Sequence, residues 1–176
     1  STLIAFFFWP LPWSGGDVGW PSYGSVGDIV VASGSTIYPV SSPTNGASPY
    51  FTCRNFTLLS GGQVNADIRG YAANYSVSFG PGGGGLRAGG GYGGGGGNYG
   101  AVGGLPYGSF SAPLFSGSAG GPDGSPAGAG GGLFRLVAAS NATINGTISA
   151  NGGTAGGNSG SSSGGGVYIS CNVFAG

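Results

Sequence analysis

The stretch FTLLSGGQVNADIRG (residues 56–70) decides how the chain is to be read, because it returns in altered form as NATINGTISANGG (141–153). Gln63-Val64-Asn65-Ala66-Asp67 and Thr147-Ile148-Ser149-Ala150-Asn151 share one pattern: polar, β-branched, polar, alanine, Asp or Asn. Each copy follows a β-prone run and a glycine-containing turn, and each runs on into glycine-rich sequence. A unit of strand, turn, strand and glycine tract that recurs along a chain is the mark of a solenoid, in which each unit buries its apolar face only by stacking on the next.

The flanking sequence agrees. DIVVASGSTIYPV (28–40), YFTCRNFTLL (50–59), GLFRLVAAS (132–140) and GVYISCNVF (166–174) alternate or cluster apolar and β-branched residues, as strands do. No window free of Gly and Pro carries the stripe of an amphipathic helix. A chain with 45 glycines among 176 residues invites a reading as flexible coil, but coil is poor in aromatic and β-branched residues, and here aromatics reach 12%. The phase of residues 53–58 stays open: Phe56 and Leu58 facing inward leave Cys53 and Asn55 outward and turn Arg54 in.

Outward from the repeat, SSPTNGASP (41–49) is a loop, and GPGGGGLRAGGGYGGGGGNYGAVGG (80–104) admits two readings. One is a floppy loop. The other is packed polyglycine II helix with three residues per turn, since positions 82, 85, 88, 91, 94, 97, 100 and 103 are all Gly except Ala88. The segment 105–130 reads as a long loop that packs Leu105, Tyr107, Phe110, Leu114 and Phe115 over a sheet face, with PDGS (122–125) as a surface turn.

The runs VNADIRGY…GPGGGG and GLFRLVAASNATINGTISANGGTAGGNSGSSSGGGVYIS resemble the glycine-rich coils of large secreted or surface-displayed parallel β-helix proteins, over about residues 50–174. The resemblance implies a right-handed β-solenoid outside the cell, with adhesive or structural roles and no catalytic residues to carry over. The fold expected is therefore all-β: a short right-handed parallel β-helix over 29–176 with long Gly-rich loops, a linker at 14–28 and an extended apolar arm at 1–13.

Charge is sparse. Four Arg (Arg54, Arg69, Arg87, Arg135) balance four Asp (Asp17, Asp28, Asp67, Asp123), and the chain has no His. No basic stripe for nucleic acid or polybasic membrane patch is present. Without His there is no Ser-His pair, and two Cys cannot complete a four-ligand zinc site. The Asp residues are scattered through linker and turn positions rather than paired as a glycosidase needs. The expectation is a protein that is not an enzyme and holds no cofactor.

Compartment is read from two features. Cys53 and Cys171 lie in separate strand-like runs and are either buried thiols or a disulfide; the disulfide is the reading taken, and it implies an oxidising, extracellular setting. Asn55, Asn74, Asn141 and Asn145 each begin an Asn-x-Ser/Thr acceptor sequence. Covalent glycans there would supply the hydration that a surface with 5% charged residues lacks.

The opening STLIAFFFWPLPW (1–13) has no charge. It is too short and too rich in proline to span a bilayer, which takes about 20 apolar residues. Ser1 reads as a terminus left by removal of a leader. Leu3, Ile4, Phe6, Phe7, Phe8, Trp9, Leu11 and Trp13 would each gain about 1.5–3 kcal/mol on burial, together more than the net stability of a typical domain. The arm must find cover, on its own solenoid or on an exposed strand edge of a neighbour. An arm at one end and an acceptor strand, VYISCNVF (167–174), at the other make a head-to-tail contact that propagates. The function expected is the subunit of an extracellular homopolymeric filament. The competing expectation is a monomeric, adhesin-like β-helix that binds carbohydrate or a surface.

Overall fold

A computed structural model describes residues 22–24 and 27–176. The donor arm, with Leu3, Ile4, Phe6, Phe7, Phe8, Trp9, Leu11 and Trp13, lies outside the described residues. Eleven short strands make up the regular structure and no helix occurs among the described residues: β1 (Ser22–Gly24), β2 (Ile29–Val31), β3 (Thr36–Ile37), β4 (Tyr50–Cys53), β5 (Phe56–Leu58), β6 (Gln63–Asn65), β7 (Leu133–Ala138), β8 (Asn141–Ile144), β9 (Thr147–Ser149), β10 (Gly166–Ser170) and β11 (Val173–Ala175). The chain visits three parallel sheets in fixed rotation. The first has the order β1-β4-β7-β10, the second β2-β5-β8-β11 and the third β3-β6-β9. This is an order of the β-solenoid type. β1 falls inside the stretch expected to be linker and pairs Ser22 with Tyr50.

The internal echo is a true structural register. Gln63 faces Thr147, Val64 faces Ile148 and Asn65 faces Ser149. β5, β6 and most of β7 alternate an inward apolar residue with an outward one, and like residues stack in columns. Phe51, Leu136 and Ile169 form one column in the first sheet. Ile29, Phe56, Ala142 and Phe174 form another in the second. Phe56, Leu58, Phe134 and Leu136 are fully buried, each contributing about 1.5–3 kcal/mol. Phe134 is the hub, with ring centroids 5.6 Å from Phe51 and 5.9 Å from Phe56.

Two corner residues settle the open phase. The strand expected over 50–59 is broken at Arg54-Asn55 into β4 and β5. The corner resets the alternation, so Cys53 joins Phe56 and Leu58 in the core while Arg54 points to solvent. At the next corner Gly34 and Gly61 take φ values of 77° and 78°, and the Gly34 N–H donates to the Gly61 carbonyl at 2.9 Å. A residue with a Cβ is strained in that left-handed turn.

Residues 66–132 leave the ladder between β6 and β7 and build a second, side-chain-poor layer. Its cohesion is backbone hydrogen bonding. Gly89, Gly90 and Gly91 donate in succession to Gly97, Ser161 and Gly82. Gly130, Gly131 and Gly132 donate to Tyr71, Ser163 and Ala66. Three successive donors aimed at three different neighbours is the pattern of a three-residue turn, which has no internal bonds and so must bond outward. The periodic glycine face is only partly used: Gly82, Ala88 and Gly91 are buried, whereas Gly94 and Gly97 face open space. Of the side chains expected to pack over a sheet, only Tyr107 is half-buried; Leu105, Phe110, Leu114 and Phe115 are exposed.

Candidate functional site: an open ladder end

The fourth turn leaves its strands half-paired. Among the described residues β10 pairs only with β7 and β11 only with β8, while the third sheet stops at β9, which pairs only with β6. The inward columns therefore run out to solvent. Phe174 continues the Ile29–Phe56–Ala142 column yet is 63% exposed, and Val167, in register with Phe134 in the first sheet, is 44% exposed. Ile144, Ile148 and Ile169 are partly buried at the same end of the core. Unpaired backbone groups beside exposed apolar side chains invite another strand.

The outer face of the first sheet is stiffened by one stacked column. Arg135 stands between Tyr50 and Tyr168 in register, its guanidinium carbon 4.7 Å and 5.5 Å from the two ring centroids. A second such contact joins Arg69 to Tyr38 at 4.3 Å. These cation–π pairs hold adjacent turns together.

The acidic residues do not converge. Asp28 accepts two hydrogen bonds from Arg54, at 2.9 and 3.0 Å, and one from Asn55 at 2.9 Å. Those donors, Arg54 foremost, hold the Asp28 carboxyl down at about 2. Asp123 accepts from Arg87 at 2.7 Å, and Asp67 accepts the Asn151 N–H at 2.6 Å. Asp17 lies outside the described residues. Among the described residues no group of three metal-ligating side chains gathers.

The expected disulfide is corrected by the register. Cys53 and Cys171 are both free thiols. Cys53 faces Ala138, and Cys171 follows Ser170, which faces Val137 of the same strand, so β7 lies between them. Two strand spacings separate their backbones by roughly 9.6 Å, beyond the 7 Å or so that a disulfide spans. Burial, with the Asp28 charge second, raises the Cys53 thiol to about 11.

The four acceptor asparagines are not equivalent. Asn55 and Asn141 stack on adjacent turns at one corner, where the Asn55 side-chain oxygen accepts the Asn141 N–H at 3.2 Å and Asn55 is half-buried. Asn145 is exposed at the following corner. Asn74 is exposed, and its oxygen accepts the N–H groups of Ser76 and Val77 at 2.8 and 2.7 Å, an Asx turn at the surface.

Sequence reasoning anticipated strand structure over VYISCNVF but not the corner that divides it into β10 and β11. No protein-family model, curated protein or solved structure matches the chain. Among the described residues no helix is long and apolar enough to cross a membrane.

Proposed function

We propose that the chain is a structural subunit of an extracellular, N-glycosylated filament, in which the ladder closes as a right-handed solenoid and the apolar arm at 1–13 of one copy covers the open end of the next. The observation that carries this reading is the exposed end of the core, where Phe174 and Val167 complete apolar columns that nothing in the described chain covers. In this reading donor and acceptor are different segments of the chain, so the contact is heterologous and extends rather than closing on itself. The reading assigns the chain no reaction, cofactor or nucleic-acid partner. Asn55, Asn74, Asn141 and Asn145 are its glycan sites.

Electron microscopy of purified full-length protein and of a chain lacking residues 1–13 tests it. Filaments from the full chain and monodisperse particles from the truncated one are expected. A full chain that stays monomeric, or a truncated one that still polymerises by direct end-on stacking, overturns it.

A further inference from the structure

The four acceptor sequences stand in different relations to the core. In Asn55-Phe56-Thr57 and Asn141-Ala142-Thr143 the middle residue is fully buried, Phe56 and Ala142 both at 0% exposure. The two triplets stack in the second sheet, where Phe56 faces Ala142 and Thr57 faces Thr143. In Asn74-Tyr75-Ser76 all three residues are exposed, Tyr75 at 67%. In Asn145-Gly146-Thr147 the Asn and Thr are exposed, but the backbone is pinned. The Asn145 N–H donates to the Leu58 carbonyl at 2.8 Å and the Thr147 N–H to the Gly62 carbonyl at 3.1 Å. Gly146 lies so close to the adjacent turn that a Cβ there would sit 2.3 Å from the Gly62 carbonyl oxygen.

The acceptor side chains differ as well. The Asn55 Nδ2 donates to Asp28 at 2.9 Å, and Asp28 is held in turn by two hydrogen bonds from Arg54. The Asn55 oxygen accepts the Asn141 N–H at 3.2 Å, so this one side chain ties three successive turns together. Asn74 engages its oxygen alone among the described residues, with the N–H groups of Ser76 and Val77. Its loop is closed locally, by the Asn74 N–H on the Val77 carbonyl at 2.9 Å and a bridge between Ala73 and Ser78.

Attachment of an N-linked glycan joins the Asn Nδ2 to the anomeric carbon of an oligosaccharide carried on a lipid pyrophosphate. The bond from that carbon to the phosphate oxygen breaks, the lipid pyrophosphate leaves with the electron pair, and Nδ2 gives up one proton to the transferase. The Asn-x-Ser/Thr triplet has to enter the transferase as a surface segment free of its own protein. Lifting the triplet at Asn55 draws Phe56 from the core and unpairs β5 from β2 and β8. Lifting the one at Asn141 draws out Ala142 and unpairs β8 from β5 and β11. At Asn145 the bonds to Leu58 and Gly62 break. At Asn74 only a local turn opens.

We infer that closure of the coil divides the four acceptors: Asn74 stays open to glycosylation in the folded chain, whereas Asn55, Asn141 and Asn145 accept a glycan only before their turns stack. The inference rests on the reading of these asparagines as glycan sites and specifies the order in which they are filled.

The test takes full-length protein made in bacteria that lack the transferase, folds it, and incubates it with purified oligosaccharyltransferase and a lipid-pyrophosphate-linked oligosaccharide. Mass spectrometry of the peptides reads each site. Asn74 is expected to be modified about tenfold or more faster than Asn55, Asn141 and Asn145, because those three wait on opening of the ladder. Phe56→Ala keeps the acceptor sequence at Asn55 but removes its anchor, and is expected to raise modification of Asn55 about tenfold with Asn74 unchanged. If that variant loses the fold altogether, all four sites are expected to accept glycan. Any of the three ladder sites modified as fast as Asn74 in the folded parent chain, an Asn74 that stays bare, or an Asn55 that stays bare in Phe56→Ala overturns the inference. Protein recovered from secretory cells with all four sites bare overturns the glycosylated-filament reading instead, and leaves standing the order of accessibility found with the purified transferase.

Discussion

At Ile68 the backbone stands at φ 56°, a conformation that a β-branched side chain adopts only under strain. The side chain is 58% exposed, so little packing is lost on its removal. Ile68→Gly is expected to stabilise the protein by about 1 kcal/mol, the relieved strain exceeding the extra entropy of the unfolded glycine. Urea unfolding followed by circular dichroism checks the sign. Cys53 and Cys171 give a second residue-scale test. Both are expected to titrate as free thiols in denaturant without reductant. In the native protein Cys53, buried and raised to about 11, should react with Ellman's reagent about tenfold or more slowly than Cys171. A single slow class, or no free thiol at all, contradicts the register that separates them. Residue identity pointed to these cysteines. It could not show Ala138 standing opposite Cys53, because that opposition joins residues 85 positions apart in the chain, Cys53 to Ala138.

Among elements, the glycine layer behaves unlike the strand ladder. A strand tolerates side chains on its outer face, whereas here backbone lies directly on backbone. A Cβ at Gly121 would overlap the Gly85 carbonyl. At Gly94 it would meet nothing within 4 Å. Gly121→Ala is expected to cost about 3 kcal/mol through forced displacement of the layer. Gly94→Ala should be neutral or stabilising by up to about 1 kcal/mol, because it only restricts the unfolded chain. Thermal unfolding of the two variants side by side measures the difference; equal effects would mean that the layer is not packed as described. The glycine run itself was open to a packed or a floppy reading, since composition constrains backbone freedom but not the partners of each N–H. Those partners, such as Gly90 to Ser161, come from a different part of the chain.

For the molecule as a whole, the open end of the ladder separates folding from assembly. Phe174 is 63% exposed, so Phe174→Asp should leave the stability of the isolated subunit within about 0.5 kcal/mol. The same change puts a charge where the next strand must lie dry, and filament growth is expected to cease. Sedimentation of the variant beside the parent protein reads both properties. A variant that unfolds, or one that still polymerises, would show that the exposed column is not an acceptor.

The sequence by itself determined the all-β class, the coil unit and its register, because a period-two apolar pattern and a recurring strand–turn–strand unit are local and survive in one dimension. QVNAD and TISAN align by eye and stand opposite one another in space. The tertiary structure alone decided that Arg54-Asn55 is a corner and that the two thiols stay apart. Each of these depends on which distant turn lies next to which. The 67-residue excursion from Ala66 to Gly132 between β6 and β7 hides that adjacency from any reading along the chain.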